Sequence, residues 1–376
     1  MSDERIGRLR TGVIEPLKAR FIGRDEVVDL IALATVAGEH LFLFGPPGTA
    51  KSLLVHAFAG ALQCRYFEYL LTRFSEPNEI FGPVDLVKLR EGVIATVTSG
   101  MLPEAEFAFL DELFNANSAI LNNLLTVLNE RVYRRGAETH RLPLISAFAA
   151  SNHLPEDDTL QALFDRFLLR VKVDSLPQQQ LPALLAAGWA IERAEENGAA
   201  ENPITAADLR AMSARVKEID LEAIWEPYSD AVRKIRDLGV AMSDRRAVKG
   251  MKLIAASAVL CGRSAANASD FWVLRYVWDR AEQIGPLAAL VAGLLETVKA
   301  EAPHPRAVRP EDVDAESLAR ELETAGKDVA RGLKLAEIAR LRERVQAVVD
   351  RSAWVADAGQ RGHLLLRATG LLEKLG

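Results

Sequence analysis

The residues that could do chemistry sit at the ends of apolar runs. Lys51 and Ser52 follow a Gly-Pro turn in "HLFLFGPPGTAKSLL" (40–54), Asp111 and Glu112 close "FAFLDE" (107–112), and Asn152 closes "LISAFAASN" (144–152). Arg166 in "LFDRF" and Arg245 in "MSDRRAV" follow downstream. A Gly-rich turn between a strand and a helix exposes backbone N–H groups to phosphate oxygens, and the helix dipole adds to the attraction. Lys51 can then reach the β- and γ-phosphates of ATP, and the Ser52 hydroxyl can ligate Mg²⁺. Asp111 would hold the ion through water, and Glu112 would orient and polarise an attacking water. Asn152 suits a hydrogen bond to that water or to the γ-phosphate. Arg166, supplied by a neighbouring subunit, would stabilise charge on the transferring phosphoryl group. Arg245 opens a helix from which it could reach back to the γ-phosphate.

Each residue also has a bland reading: a Gly-Pro turn, a helix-capping acid pair, a turn-forming Asn. For either arginine alone a surface salt bridge is the commoner explanation. Their order within one chain favours an ATP hydrolase. The nucleotide-contacting stretch is Gly45, Pro46, Pro47, Gly48, Thr49 and Ala50, with Lys51, Ser52 and Leu53 opening the helix. Phosphate loops usually have Gly before the Lys, and here Ala50 stands there. A Cβ is tolerated at that position if its φ is negative, which is the expectation.

The elements that must hold these residues alternate. Residues 26–37 have helical spacing, "HLFLF" is an apolar strand, and the helix from Ser52 to Leu62 carries Leu53, Leu54, Ala57 and Phe58 on one side. "FEYLL" (67–71), "FAFLDE" and "LISAFAASN" are further strands, and 118–130 is a helix with Leu121, Leu125 and Leu128 as its stripe. The pattern predicts an α/β core with a mostly parallel sheet, whose ligands bind beyond the carboxyl ends of the strands. All the candidate core residues fall there. Expected domains are an αβ nucleotide-binding core over 1–180, an α-helical domain over 181–298 without strands, a proline-rich linker over 299–316 and a C-terminal helical hairpin over 317–376. The hairpin, with Leu333, Leu335, Ile338 and Leu341 among its apolar residues, is too small for a strong core alone and is expected to dock.

Composition narrows the class. The 376 residues carry a net charge of −6, which argues against wholesale coating of nucleic acid. Cys64 and Cys261 form no CxxC or Cys/His cluster, so neither a disulfide framework nor a zinc site of normal spacing is expected, and a reducing cytoplasm suits them. "MSDERIGRLR" has no apolar leader segment, and "IGPLAALVAGLL" (284–295) is too short to span a bilayer and reads as a buried helix. No NKxD-type guanine motif appears.

The succession "GPPGTAKS", "FEYLLTRFSEPNEIFGP", "SGMLPEAEFAFLDE", "ILNNLLTVLNER", "AASN", "LFDRF" and "MSDRR" resembles the MoxR family of AAA+ ATPases, in its RavA-like branch, across about residues 15–285. In that branch Ala before the Lys is usual. The resemblance implies an AAA+ P-loop core with a five-stranded parallel sheet, a helical lid and a homo-oligomeric ring, usually hexameric. It makes Lys51 the Walker A lysine, Asp111 and Glu112 the Walker B pair, Asn152 the first sensor, Arg166 the arginine finger and Arg245 the second sensor, with Arg246 as a rival. It also sets Phe21, Ile22 and Gly23 against adenine. Two inserted hairpins are expected, at 83–98 and 131–145, the second locally basic through Arg131, Arg134, Arg135 and Arg141. The chain has no room for the further insertion domain of the better-known RavA-type proteins. The family further implies chaperone-like remodelling of a protein client with a von Willebrand factor A-domain partner. A nucleic-acid motor gripping through the basic hairpin is the alternative, and a nucleotide-gated scaffold is a third reading.

Overall fold

The computed structural model describes residues 4–92, 95–135, 138–155, 157–176, 178, 181–193, 203–296, 303–307, 315–329 and 358–375, with single positions between 338 and 355. They fall into two compact units, Arg5–Val216 and Lys217–Gly376.

The first unit begins with α1 (Glu4–Leu9), a π-turn, α2 (Glu15–Arg20) and α3 (Asp25–Ala37). There follow β1 (Leu41–Phe44), α4 (Lys51–Gly60), β2 (Leu62–Gln63), β3 (Tyr66–Leu70), α5 (Pro77–Phe81) and α6 (Leu86–Arg90). Next come β4 (Phe107–Asp111), α7 (Ser118–Glu130), β5 (Val132–Arg135), β6 (Glu138–Arg141), β7 (Ser146–Ser151), α8 (Asp158–Phe164) and β8 (Leu169–Lys172). The unit closes with α9 (Leu181–Arg193), β9 (Ile204–Thr205) and α10 (Ala206–Arg215).

The main sheet has five strands in the order β3-β4-β7-β1-β8, and every pairing in it is parallel. Strands covered by helices on both faces must be apolar throughout, which is why they read as continuous runs rather than alternating ones. Phe42, Phe107, Phe109 and Phe148 are fully buried in them. Phe42 meets Phe164 edge-on at 5.1 Å, and Phe107 stacks on Phe148 at 6.0 Å. The register aligns Phe44 with Ser151 and with Lys172, and Leu70 with Asp111. The carboxyl ends therefore finish nearly level, and the loop after β1 emerges between its neighbours β7 and β8.

Several elements differ from expectation. β8 supplies the fifth strand, and its apolar run is interrupted in the sequence by Arg170. That arginine is fully buried: its guanidinium donates to the carbonyls of Phe167 (3.0 Å) and Phe164 (3.1 Å) and lies 3.9 Å over the Phe164 ring. A strand also occurs after residue 180, since β9 pairs with β2 beside α10. In α4 the buried face is Leu54, Val55, Phe58 and Ala59, and Leu53 turns outward at 45% exposure. In α7 it is Ile120, Leu121, Leu124, Val127 and Leu128, with Leu125 only half-buried. The helix begins where Asn117 Oδ1 accepts the Ile120 N–H at 3.1 Å.

The first inserted segment is not a regular hairpin among its described residues. Asp85 caps α6 through the Val87 and Lys88 N–H groups, and one bridge joins Val84 to Thr96, while 93–94 lie outside the described residues. Around 131–145 the hairpin β5–β6 does form. Arg131, however, belongs to the scaffold. It ends α7 in a left-handed conformation, φ 53°, and donates to the carbonyls of Leu144 (2.7 Å), Gly38 (2.7 Å) and Ile145 (2.9 Å). Arg134 and Arg141 are exposed.

The second unit contains α11 (Trp225–Asp237), α12 (Asp244–Leu260), a 3-10 run over Ala268–Tyr276, α13 (Ile284–Glu296), α14 (Ala315–Val329) and α15 (Ala358–Lys374). α13 buries one face, through Leu287, Val291 and Leu295, rather than its whole surface. The core of α12 and the 3-10 run contains a buried ionic network. Arg263 donates to both Asp270 oxygens at 2.9 and 2.6 Å, the Ser257 hydroxyl donates to Asp270 at 2.6 Å, and Trp272 Nε1 donates to Ser257 at 3.0 Å. Burial works against the charge on Arg263, but Asp270 and Cys261 together raise its pKa.

Within the expected linker, residues 303–307 are seated rather than loose. His304 is buried, stacks on Trp272 at 4.7 Å and donates its N–H to Ser269 Oγ at 2.7 Å. The rest of 299–316 lies largely outside the described residues, as does 330–337 with both Leu333 and Leu335. The tail has a buried cluster of its own, in which Leu318, Leu322 and Ala325 of α14 join Leu341, Val345, Leu364 and Ala368.

Candidate nucleotide site

The loop between β1 and α4 is shaped by contacts no side chain would permit. A Cβ on Gly45 would lie 2.2 Å from the carbonyl oxygen of Val173, just beyond β8, so only glycine lets the loop leave the sheet there. Gly48 follows with φ 78°. Ala50 then takes φ 64° and ψ 25°, a left-handed conformation that overturns the expected negative φ. The chain must reverse immediately before Lys51 to begin α4, and this demand prevails over a conformational cost of about 1 kcal/mol for an L-residue. The substitution of Ala for Gly therefore leaves strain in the loop and leaves its shape intact.

Lys51 is nearly buried, and its ammonium donates to the carbonyls of Gly45 (2.9 Å) and Pro46 (2.8 Å), with Thr49 Oγ1 at 3.4 Å. Burial lowers its pKa, Asp111 and Glu112 pull it back up, and Arg24 lowers it further. Arg24 is itself half-buried, with its pKa lowered by burial and raised again by Asp174. Arg24 lies close enough to act on Lys51 without any motif signal in the sequence. At the end of β4, Asp111 uses both oxygens: Oδ2 accepts from Ser52 Oγ at 3.0 Å, and Oδ1 accepts the Glu112 N–H at 2.9 Å. Glu112 is also left-handed, with φ 52°, and its Oε2 is buried with no hydrogen-bond partner.

At the end of β7, Asn152 is exposed, and its Oδ1 lies 2.8 Å from His153 Nδ1. Arg166 follows α8, half-buried and paired with Asp165 at 3.6 Å. Asp165 also faces Arg170 at 3.9 Å, so the buried Arg170 fixes the turn that carries Arg166. Phe21 is buried at the end of α2 with Arg20 over its ring at 5.7 Å, Ile22 is half-buried, and Gly23 turns with φ 66°. In the second unit, Arg246 is buried and committed, donating to Asp279 (2.6 Å) and to the carbonyls of Ala241 (2.8 Å) and Val277 (2.6 Å). Arg245 is exposed on the first turn of α12, whose N-terminus Ser243 caps. Of the two rivals, Arg246 is thus part of the lid's own framework.

These residues fit a magnesium nucleotide. The paired oxygens of Ser52 and Asp111 are the hard donors Mg²⁺ takes, and Lys51 is a buried cation satisfied by the carbonyls of its own loop. The orphaned Glu112 oxygen lacks a donor that a bound water would supply. No group of three or more His, Cys, Asp and Glu able to hold a metal occurs among the described residues.

The sheet order, the loop and the acids at the strand ends are those of a P-loop ATPase core. A family described as the MoxR domain in the MoxR-vWA-beta-propeller ternary systems matches residues 7–214, and an AAA lid domain matches 225–290. The chain belongs to the MoxR family of AAA+ ATPases. Two uncharacterized proteins of Methanocaldococcus jannaschii are 39% and 36% identical to it, each match spanning 72% of this chain and 70% and 71% of theirs. The chaperone MoxR1 of Mycobacterium tuberculosis is 26% identical over 42% of each chain. The crystal structure of an inferred ATPase from Cytophaga hutchinsonii shares the fold, with TM-score 0.63 and 16% identity, over 79% of this chain and 96% of that one. No helix among the described residues is long and apolar enough to cross a membrane.

Proposed function

We propose that this chain is a Mg²⁺-dependent ATPase that works in a ring and remodels a protein client, with Glu112 as the base for water attack. The observation that carries it is the meeting of Ser52, Asp111 and Glu112, where a 3.0 Å hydroxyl–carboxylate pair adjoins a buried carboxylate oxygen without a donor. Lys51 leaves its loop carbonyls for the phosphates, and the first-turn N–H groups of α4 face the same charge. Glu112 accepts the proton of a water as its oxygen bonds to the γ-phosphorus and the bond to the ADP oxygen breaks. Asn152 holds that water or a γ-phosphate oxygen. Mg²⁺, held by Ser52 directly and by Asp111 through water, would neutralise charge on the β- and γ-phosphates when bound. Phe21, Ile22 and Gly23 pack on adenine, with Leu53 flanking the phosphate end.

In the ring, hexameric in this reading, Arg166 serves the neighbouring subunit's nucleotide and Arg245 reports from the lid. The motif resemblance supports the RavA-like branch, and the two unclustered cysteines support a reducing cytoplasm. The MoxR-vWA-beta-propeller description of the matched family supports a von Willebrand factor A-domain partner, and the chaperone name of a relative supports remodelling of a client. Glu112→Gln tests the reading: it should bind ATP as the wild type does and lose turnover, and it should trap the A-domain partner in a pull-down. Normal hydrolysis by the variant refutes the assignment of the base.

A further inference from the structure

A side chain that no motif includes is built against the end of β7. His153 directly follows Asn152, and its Nδ1 lies 2.8 Å from Asn152 Oδ1 and 3.3 Å from Ser151 Oγ. Its own N–H donates to Ser151 Oγ at 3.3 Å, and Ser151 is buried in the sheet. Its ring lies 5.9 Å from that of Phe114, which follows Glu112 by two positions and packs on Phe42 at 5.3 Å and on Phe164 at 5.9 Å. The imidazole is thus held from two sides, by the strand that carries Asn152 and by the turn that carries Glu112. An amide oxygen only accepts, so Nδ1 carries the proton in this contact.

The consequence falls on Asn152. An amide can present either its oxygen or its NH₂ to a ligand, and the two faces are nearly alike in shape. Opposite phosphate oxygens only the NH₂ face is productive, because those oxygens accept. With Oδ1 committed to His153, the Nδ2 donors are the ones left to turn outward. We propose that His153 is a positioning residue for ATP turnover: it fixes the orientation of the Asn152 amide and ties it, through Phe114, to the turn bearing Glu112. The inference rests on the ATPase reading and adds a residue to it.

One neutral hydrogen bond sets the scale, so His153→Ala should lower kcat about five- to tenfold while the KM for ATP stays within about twofold. His153→Asn, whose amide NH₂ can occupy the place of Nδ1, should recover most of the loss. In an Asn152→Ala background, His153→Ala should cost nothing more, because the group it positions is gone. An unchanged kcat in His153→Ala, or the same fold-loss in both backgrounds, overturns the proposal. The side-chain amide signal of Asn152 in an NMR spectrum, assigned by its disappearance in Asn152→Ala, gives a reading that needs no turnover. His153→Ala should shift or broaden it, and an unmoved signal refutes the positioning. A wild-type protein that fails to hydrolyse ATP would refute the ATPase reading alone, and the amide signal would still decide for or against His153.

Discussion

The buried charges of the two units are of opposite kinds. In the second unit Asp270 is surrounded by donors from Arg263, Ser257 and the Asn267 backbone, and Arg246 is bound to Asp279 and two carbonyls. In the first unit Glu112 keeps a buried oxygen without a donor, Lys51 spends its ammonium on its own loop, and both Ala50 and Glu112 take left-handed backbone conformations. A buried carboxylate with both oxygens paired to cations and donors holds a fold together, whereas a buried carboxylate oxygen without a donor, beside strained backbone, leaves room for a ligand to complete it. Similar residue types thus serve structure in one place and, in the proposed function, chemistry in the other.

The largest effect should come from the incomplete site. Glu112→Gln should slow hydrolysis roughly 100- to 10,000-fold in steady-state assays, with the unfolding temperature unchanged or slightly raised. Asp270→Asn should do the reverse, because it leaves Arg263 buried without its counter-charge. A loss of about 3 kcal/mol by denaturant titration of the second unit's transition is expected, and a mild effect would break the contrast. Arg246→Ala should likewise destabilise by about 3 kcal/mol, whereas Arg245→Ala should leave stability nearly unchanged and act on ATP turnover. The smallest effect belongs to the loop: Ala50→Gly relieves about 1 kcal/mol of backbone strain, which should appear as a rise of about 3 °C in the melting temperature.

What could be read from the chain alone divides along physical lines. α7 was legible at both ends because Asn117 caps it and its apolar period is strong. The strand-end residues Lys51, Asp111, Glu112 and Asn152 were legible because a parallel sheet gathers its strand ends on one edge. β8 was obscured by Arg170, whose guanidinium is satisfied by the Phe164 and Phe167 carbonyls and faced by Asp165, partners that only the folded chain brings near. The outward turn of Leu53 depends on which side of α4 meets the sheet, which local periodicity does not fix. Ala50 misled for a different reason. Residue preference describes what a conformation costs, and here the fold imposes the conformation regardless. Arg131 carries the same lesson for charge, since a basic hairpin seen in sequence loses one of its cations to three carbonyls of the scaffold. His153 had no pattern to announce it; only its contacts do.

Gly45, Gly48 and Ala50 also define how this loop can be redesigned. Substitution at Gly45 drives a side chain into the Val173 carbonyl at 2.2 Å, so the position is closed to every other residue. Gly48 has open space around it and is constrained by its φ of 78° alone, so Asn or Asp is the replacement to try first. Position 50 already accommodates a methyl group. Its φ of 64° still penalises larger and branched side chains, so a saturation library of "GPPGTAKS" would leave Gly45 forbidden and positions 48 and 50 both restricted by backbone conformation, with position 50 the one where exchange between Gly and Ala adjusts how readily the loop forms.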